Sequence, residues 1–212
     1  MRKIALCLAL GCAMVAAAQD KTQSSGKEMG KPPDKKAGGQ MSIPIPKPSP
    51  EMQKLSKMAV GTWSIAEKQE PSPWAPEGAT GKGIAVFKNG PGGLSLVQDY
   101  KSSSNMGGFA GHGVRWWDAQ AGGFKEIWCD SMSPTGCTVS KGIAKWDGNN
   151  LVGTDEMDMM GQKVAVKEMW TDITPDSFTF RMEGGPPGGE MKPMVTIKYT
   201  RATAVKAEVK KP

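Results

Sequence analysis

From Thr62 to Arg201 apolar and polar residues alternate with a period of two, the spacing that puts one face of an extended strand inward and the other outward. The alternation is clearest in Phe124 to Asp130, FKEIWCD, and its pattern returns as VKEMWTD from Val166 to Asp172. Counting such stretches predicts about ten strands, over 62–69, 79–88, 94–101, 109–117, 123–131, 137–146, 150–158, 162–172, 176–183 and 192–201. Between them stand short turn signals such as Asp147-Gly148-Asn149 and Met160-Gly161, with no helix-length periodic segment. Sequential hairpins without long crossovers favour closure, because closure leaves no exposed sheet edge. The predicted fold is all-β: an up-and-down antiparallel barrel of about ten strands.

One short helix precedes the strands. Ser49 is a capping residue, Pro50 suits the first helical position, Glu51 places an acid in the first turn, and Gly61 ends the pattern. Met52, Leu55, Met58 and Ala59 form its one apolar stripe, so it is expected to cover or plug another element. The domain boundaries read from the chain are 1–18, 19–49, 50–201 and 202–212. Residues 1–18 carry Arg2 and Lys3, an apolar run from Ile4 to Val15 and then Ala16 to Ala18, which is a signal peptide cut after Ala18. That run is shorter than the ~20 residues of a spanning helix, so no transmembrane span is expected and the destination is secreted or periplasmic. Leu10-Gly11-Cys12 offers a competing lipoprotein signal with the tether at Cys12. Residues 19–49 are rich in Lys, Gly, Ser and Pro, and residues 202–212 form a basic tail; both lack the apolar content needed for a core.

Charge changes the picture once it is divided along the chain. Of the formal +6, residues 1–18 hold two positive charges and residues 19–50 and 201–212 three each, which leaves residues 51–200 at −2. The folded part is therefore not basic, and a nucleic-acid partner is not expected. Only Cys129 and Cys137 survive signal cleavage; flanking a Ser133-Pro134-Thr135-Gly136 turn, they are candidates for a hairpin disulfide or for two buried thiols.

Candidate chemistry depends on which strand face points inward. With the tryptophans inward, Phe124, Glu126 and Trp128 share the lumen with Glu168 and Trp170, and the two acids enter an aromatic cavity together. Poorly solvated carboxylates placed so titrate upward and can hold a polar ligand head. The alternative puts Ile127, Cys129 and Met169 inward and leaves the acids in solvent. Arg115 shares a face with Trp117 and opposes that of Trp116, and structural pairing with Arg115, a lysine or Tyr100 would satisfy Glu126 and Glu168 equally well. Met157, Met159 and Met160 raise a lesser possibility, thioether binding of Cu(I), against the plainer reading of methionines filling an interior. No nucleophile elbow, phosphate loop or zinc-spaced histidine pair is present, so a non-enzymatic protein is expected.

Gly61-Thr62-Trp63, Gly81-Lys82-Gly83, Val114 to Asp118 (VRWWD), the Phe124 and Trp128 pair and Met194 to Arg201 (MVTIKYTR) resemble, in this order, an uncharacterised family of secreted bacterial domains, the domain-of-unknown-function family numbered fifteen seventy-nine. The resemblance implies a lipocalin-like, or calycin-like, barrel and brings no established activity. Nitrobindin-like haem-binding barrels are a related group whose haem ligand is a histidine late in the chain. Here that region has Lys198, Tyr199 and Arg201, and the single histidine is His112, so no cofactor is expected. The leading expectation is a barrel that binds a small, mainly apolar ligand between Phe124, Trp128, Trp170 and Trp116, with Glu126, Glu168 and Arg115 setting its polarity. The other is an envelope interaction module with a filled barrel. The oligomeric state is not written in the sequence.

Overall fold

The computed structural model describes residues 44–72, 75–159 and 161–202. The expected signal peptide, the linker up to Ile43, the tail from residue 203 and Met160 lie outside the described residues. A helix, α1 (Pro50–Ala59), is followed by β1 (Gly61–Gln69), β2 (Ala79–Asn89), a single 3-10 turn, β3 (Ser95–Ser104), β4 (Gly107–Asp118), β5 (Gly123–Asp130), β6 (Cys137–Val139), β7 (Ile143–Asp147), β8 (Asn150–Met159), β9 (Gln162–Thr171), β10 (Ser177–Gly185) and β11 (Lys192–Arg201). Every pairing is antiparallel. Consecutive strands are neighbours except β6 and β7, and β1 pairs with β11, which closes the sheet.

The barrel has ten strand positions because β6 and β7 both pair with β5 and fill one of them. The single strand expected over 137–146 is thus broken. The cause is Asp155 on β8, whose carboxylate accepts from the backbone N–H groups of Lys141 and Gly142 and pulls the chain out of the ladder. The break passes so close to β8 that a Cβ on Gly142 would stand 1.7 Å from the Thr154 carbonyl oxygen.

Each strand sends alternate residues inward. At the end where β1 begins, the inward residues are Trp63, Phe87, Leu96, Trp117, Phe124, Trp146, Leu151, Trp170, Phe178 and Tyr199, one from each barrel position. Phe178 stacks on Trp170 and on Tyr199, with centroids 5.1 and 4.2 Å apart, and meets Trp63 edge to face at 4.8 Å. Outward positions carry Ser64, Lys68, Lys82, Lys88, Asp99 and Lys101, polar side chains turned to solvent. Among the described residues no helix is long and apolar enough to cross a membrane.

Helix α1 seals the aromatic end. The Ser49 hydroxyl caps it by accepting from Met52 N–H at 3.1 Å, and Met52, Leu55 and Ala59 are buried on the barrel. Burying side chains of this size contributes roughly 1.5–3 kcal/mol for each large one. The helix stops at Ala59, with Val60 extended and Gly61 already in β1 at φ 141°. Two groups fasten its C-terminus. Trp63 Nε1 donates to the Ala59 carbonyl at 2.8 Å, and the guanidinium of Arg201, 4.2 Å above the Trp63 ring, donates to the carbonyls of Met58 and Val60.

Candidate functional site

Midway along the barrel the aromatic packing gives way to a polar layer. Arg115 on β4 is 6% exposed, and its Nη2 donates to Glu126, directly across the ladder on β5. The same nitrogen lies 3.6 Å from a carboxylate oxygen of Glu168 on β9, and the guanidinium carbon stands 4.8 Å from the Trp170 ring centroid. Glu126 and Glu168 are three strand positions apart round the wall, and Arg115 joins them across the interior. Gln98 and Tyr199 share this layer, with Gln98 Nε2 3.5 Å from the Tyr199 hydroxyl.

The charges in this layer act on one another. Burial, and then the neighbouring Glu126 carboxylate, push the Glu168 carboxyl up to about 7, while Arg115 pulls it the other way. Burial alone lowers the Arg115 guanidinium, but the Glu126 and Glu168 carboxylates outweigh it and hold Arg115 above its ordinary value. The phenol of Tyr199 is raised by burial and stays neutral. Glu168 lies within the barrel wall yet is 32% exposed; the space that reaches it is therefore in the lumen.

Beyond this layer, away from α1, Phe109, Trp128, Met182 and Val195 are half-buried inward residues, while Tyr100 and Val166 are buried among them. Trp128 does not reach across the lumen. Its ring lies over Gly111 and Gly113 of β4, where an added Cβ would stand 2.3 and 3.0 Å from ring atoms, so these two glycines let the indole lie flat on the wall. Tyr100 meets Phe109 and Trp128 edge to face at 5.8 and 6.4 Å. Its hydroxyl donates to Glu67 at 2.5 Å, and Ser102 donates to the other oxygen of the same carboxylate at 3.0 Å.

The structure thus brings Arg115, Glu126 and Glu168 together, with Trp170 beneath them and Trp128 above. Phe124 belongs to the sealed end, 2% exposed and edge-on to Trp117 at 5.2 Å. Trp116 is a correction. It pairs with Ser95 and Lys125 on the outer face, because Arg115 and Trp117 hold the inward positions of β4 and neighbours on a strand alternate. Met157 and Met159 occupy alternate, half-buried positions on the inward-facing side of β8. Cys129 and Cys137 face each other in the β5–β6 ladder and are joined, 2.08 Å between sulfurs. His112 is outward and exposed, 2.8 Å from Asp99. Among the described residues no three of His, Cys, Asp and Glu are placed to hold a metal ion. Sequence reasoning missed Glu67, Gln98 and Tyr199, although all three occupy inward positions of the period-two pattern.

Two hollows open outside the lumen. One, of about 390 Å³, lies between α1 and the ends of β4 and β7, where Lys54 Nζ sits 3.9 Å from the Trp146 ring centroid. The other, of about 850 Å³, runs over the outer side of β2 to β5 past Ile84, Lys101 and His112. Neither touches Arg115, Glu126 or Glu168, and the converging charged groups mark the lumen as the chemically distinctive site.

Among solved structures the fold is similar to that of Rv2717c from M. tuberculosis, at TM-score 0.51 and 13% identity over 74% of this chain and 100% of that one. It is also similar to the S-type phycobiliprotein lyase CPES from Guillardia theta, at TM-score 0.50 and 13% identity over 73% and 94%. A de novo designed fluorescence-activating β-barrel aligns at TM-score 0.39 and 12% identity over 70% and 98%. At these identities the likeness is one of fold alone. No curated protein matches the sequence. The family model described as "Protein of unknown function (DUF1579)" matches residues 47–201, the whole barrel with its helix, and the chain belongs to that family.

Proposed function

We propose that this protein is an exported, non-catalytic barrel that binds a small, mainly apolar ligand in its lumen, from the end opposite α1. The observation that carries the reading is the Arg115, Glu126 and Glu168 cluster, held at mid-height between a packed aromatic floor and half-buried aromatic walls. A concave apolar site with a few convergent polar groups is the usual build of a small-molecule pocket. Paired charges inside a barrel are costly to desolvate, and a filled core of the same volume would be served as well by apolar residues. Export is supported by the basic and apolar opening of the sequence and by the joined Cys129 and Cys137, which suit an oxidising compartment.

Native mass spectrometry of the protein purified from its own cells, beside the same sample after denaturing extraction, tests both parts. The reading expects a small extra mass that leaves on unfolding and a chain that begins after Ala18. A bare chain that also takes up no apolar probe favours the filled-barrel interaction module.

A further inference from the structure

We infer that the luminal ligand is uncharged and that its head group both donates and accepts a hydrogen bond, as an alcohol or a primary amide does, on an apolar body. The inference rests on the luminal reading above and adds the chemical class. Two buried inward donors, one in the polar layer and one in the aromatic floor beneath it, have no acceptor. Nη1 of Arg115 is one, although its Nη2 is engaged with Glu126, and Nε1 of Trp170 is the other. Their residues are 6% and 5% exposed, and the guanidinium lies against the Trp170 ring. A buried donor without a partner is unfavourable, and a ligand oxygen that reaches either one relieves it.

The polar layer also offers acceptors. Side chains of Glu126 and Glu168 are 19% and 32% exposed, so the luminal space reaches them, and among the described residues Oε2 of Glu126 is the one oxygen of the four that accepts a hydrogen bond. A ligand O–H or N–H meets these oxygens while its own oxygen meets one of the donors.

Charge selects against ions of either sign. Arg115 and Glu126 compensate each other, and Glu168, raised to about 7, is largely protonated at pH 6. A ligand carboxylate would stand against Glu126, whose own carboxylate already engages Arg115. An ammonium would stand against the Arg115 guanidinium. In a low-dielectric interior like charges at such distances repel strongly, and a neutral head meets neither penalty.

Calorimetric titration of the full chain at pH 6 with four eight-carbon compounds, octan-1-ol, octanamide, octanoate and octylammonium, tests this. Octanol and octanamide are expected to bind at least about ten-fold more tightly than either ion, about the selectivity that one satisfied against one unsatisfied buried group gives. Trp170→Phe keeps a ring in place and removes Nε1; it is expected to weaken octanamide several-fold. Octanoate or octylammonium binding as tightly as the neutral pair overturns the inference and leaves the lumen as a site. An unchanged octanamide affinity in Trp170→Phe overturns the role given to that nitrogen. Heat from none of the four overturns the inference and the luminal reading together.

Discussion

Phe178 and Phe180 stand two residues apart on the same strand and point the same way, yet they belong to different regimes. Phe178 is 1% exposed and touches Trp63, Phe87, Trp170 and Tyr199 beneath the helix. Phe180 is half-buried, one inward step further from α1, as Glu168 is from Trp170. One step along the inward face separates an end closed by aromatic packing from an end where space reaches polar groups. The lesson is a division of labour: the α1 end supplies the stability that lets the other end keep charge and apolar surface incompletely packed.

The comparison breaks most visibly at its packed end. Phe178→Ala should cost about 3–5 kcal/mol, a large part of a domain's stability, read as a lower urea midpoint with unchanged m-value. If it costs no more than Phe180→Ala, the two ends do not differ as described. Arg115→Met comes next, because it strands two carboxylates inside the barrel. A loss of about 2–3 kcal/mol is expected at pH 8, below the range for fully buried pairs since the space of the lumen reaches both acids, and a smaller loss at pH 5, where Glu168 is protonated.

Glu168→Gln sharpens the electrostatic side. The folded protein holds a proton on Glu168 that the unfolded chain releases, so wild-type stability should fall as pH rises from about 4.5 to about 7 and level off above. The Gln variant lacks that contribution. It should match wild type near pH 4 and exceed it at pH 8 by about 1–2 kcal/mol, less than the full shift converts to because a third of the side chain is reached by solvent. A wild-type curve that rises over this window contradicts the placement of Glu168. The smallest effect on stability belongs to Phe180→Ala, about 1 kcal/mol, but it should weaken binding of an apolar probe more than it weakens the fold.

Much of this was legible in the residues. Strict alternation placed Glu126, Trp128, Glu168 and Trp170 on one side of their strands, and the Ser49-Pro50-Glu51 start marked the helix that seals the barrel. Alternation gives the face of a strand and not the height along it. Phe124 and Trp128, equivalent in the pattern, therefore end up at opposite ends of the interior. For the same reason adjacent Trp116 and Trp117 were certain to diverge, while which one faced inward awaited the register of β4 against β3 and β5. The break between β6 and β7 hangs on backbone N–H groups captured by Asp155 from the next strand, a long-range contact that no local propensity records. Arg201 was visible only as the end of a strand; its hold on the helix carbonyls joins residues more than a hundred positions apart.

The central claim is that the end opposite α1 encloses a binding space, and filling that space tests it most directly. Val195 faces inward there, half-buried, beside Met182 on β10. Titration with the neutral fluorophore Nile red should show saturable one-to-one binding to the wild-type chain, and Val195→Trp should abolish it without moving the urea midpoint by more than about 1 kcal/mol equivalent. Equal binding by a folded Val195→Trp variant would place the probe elsewhere and contradict the account.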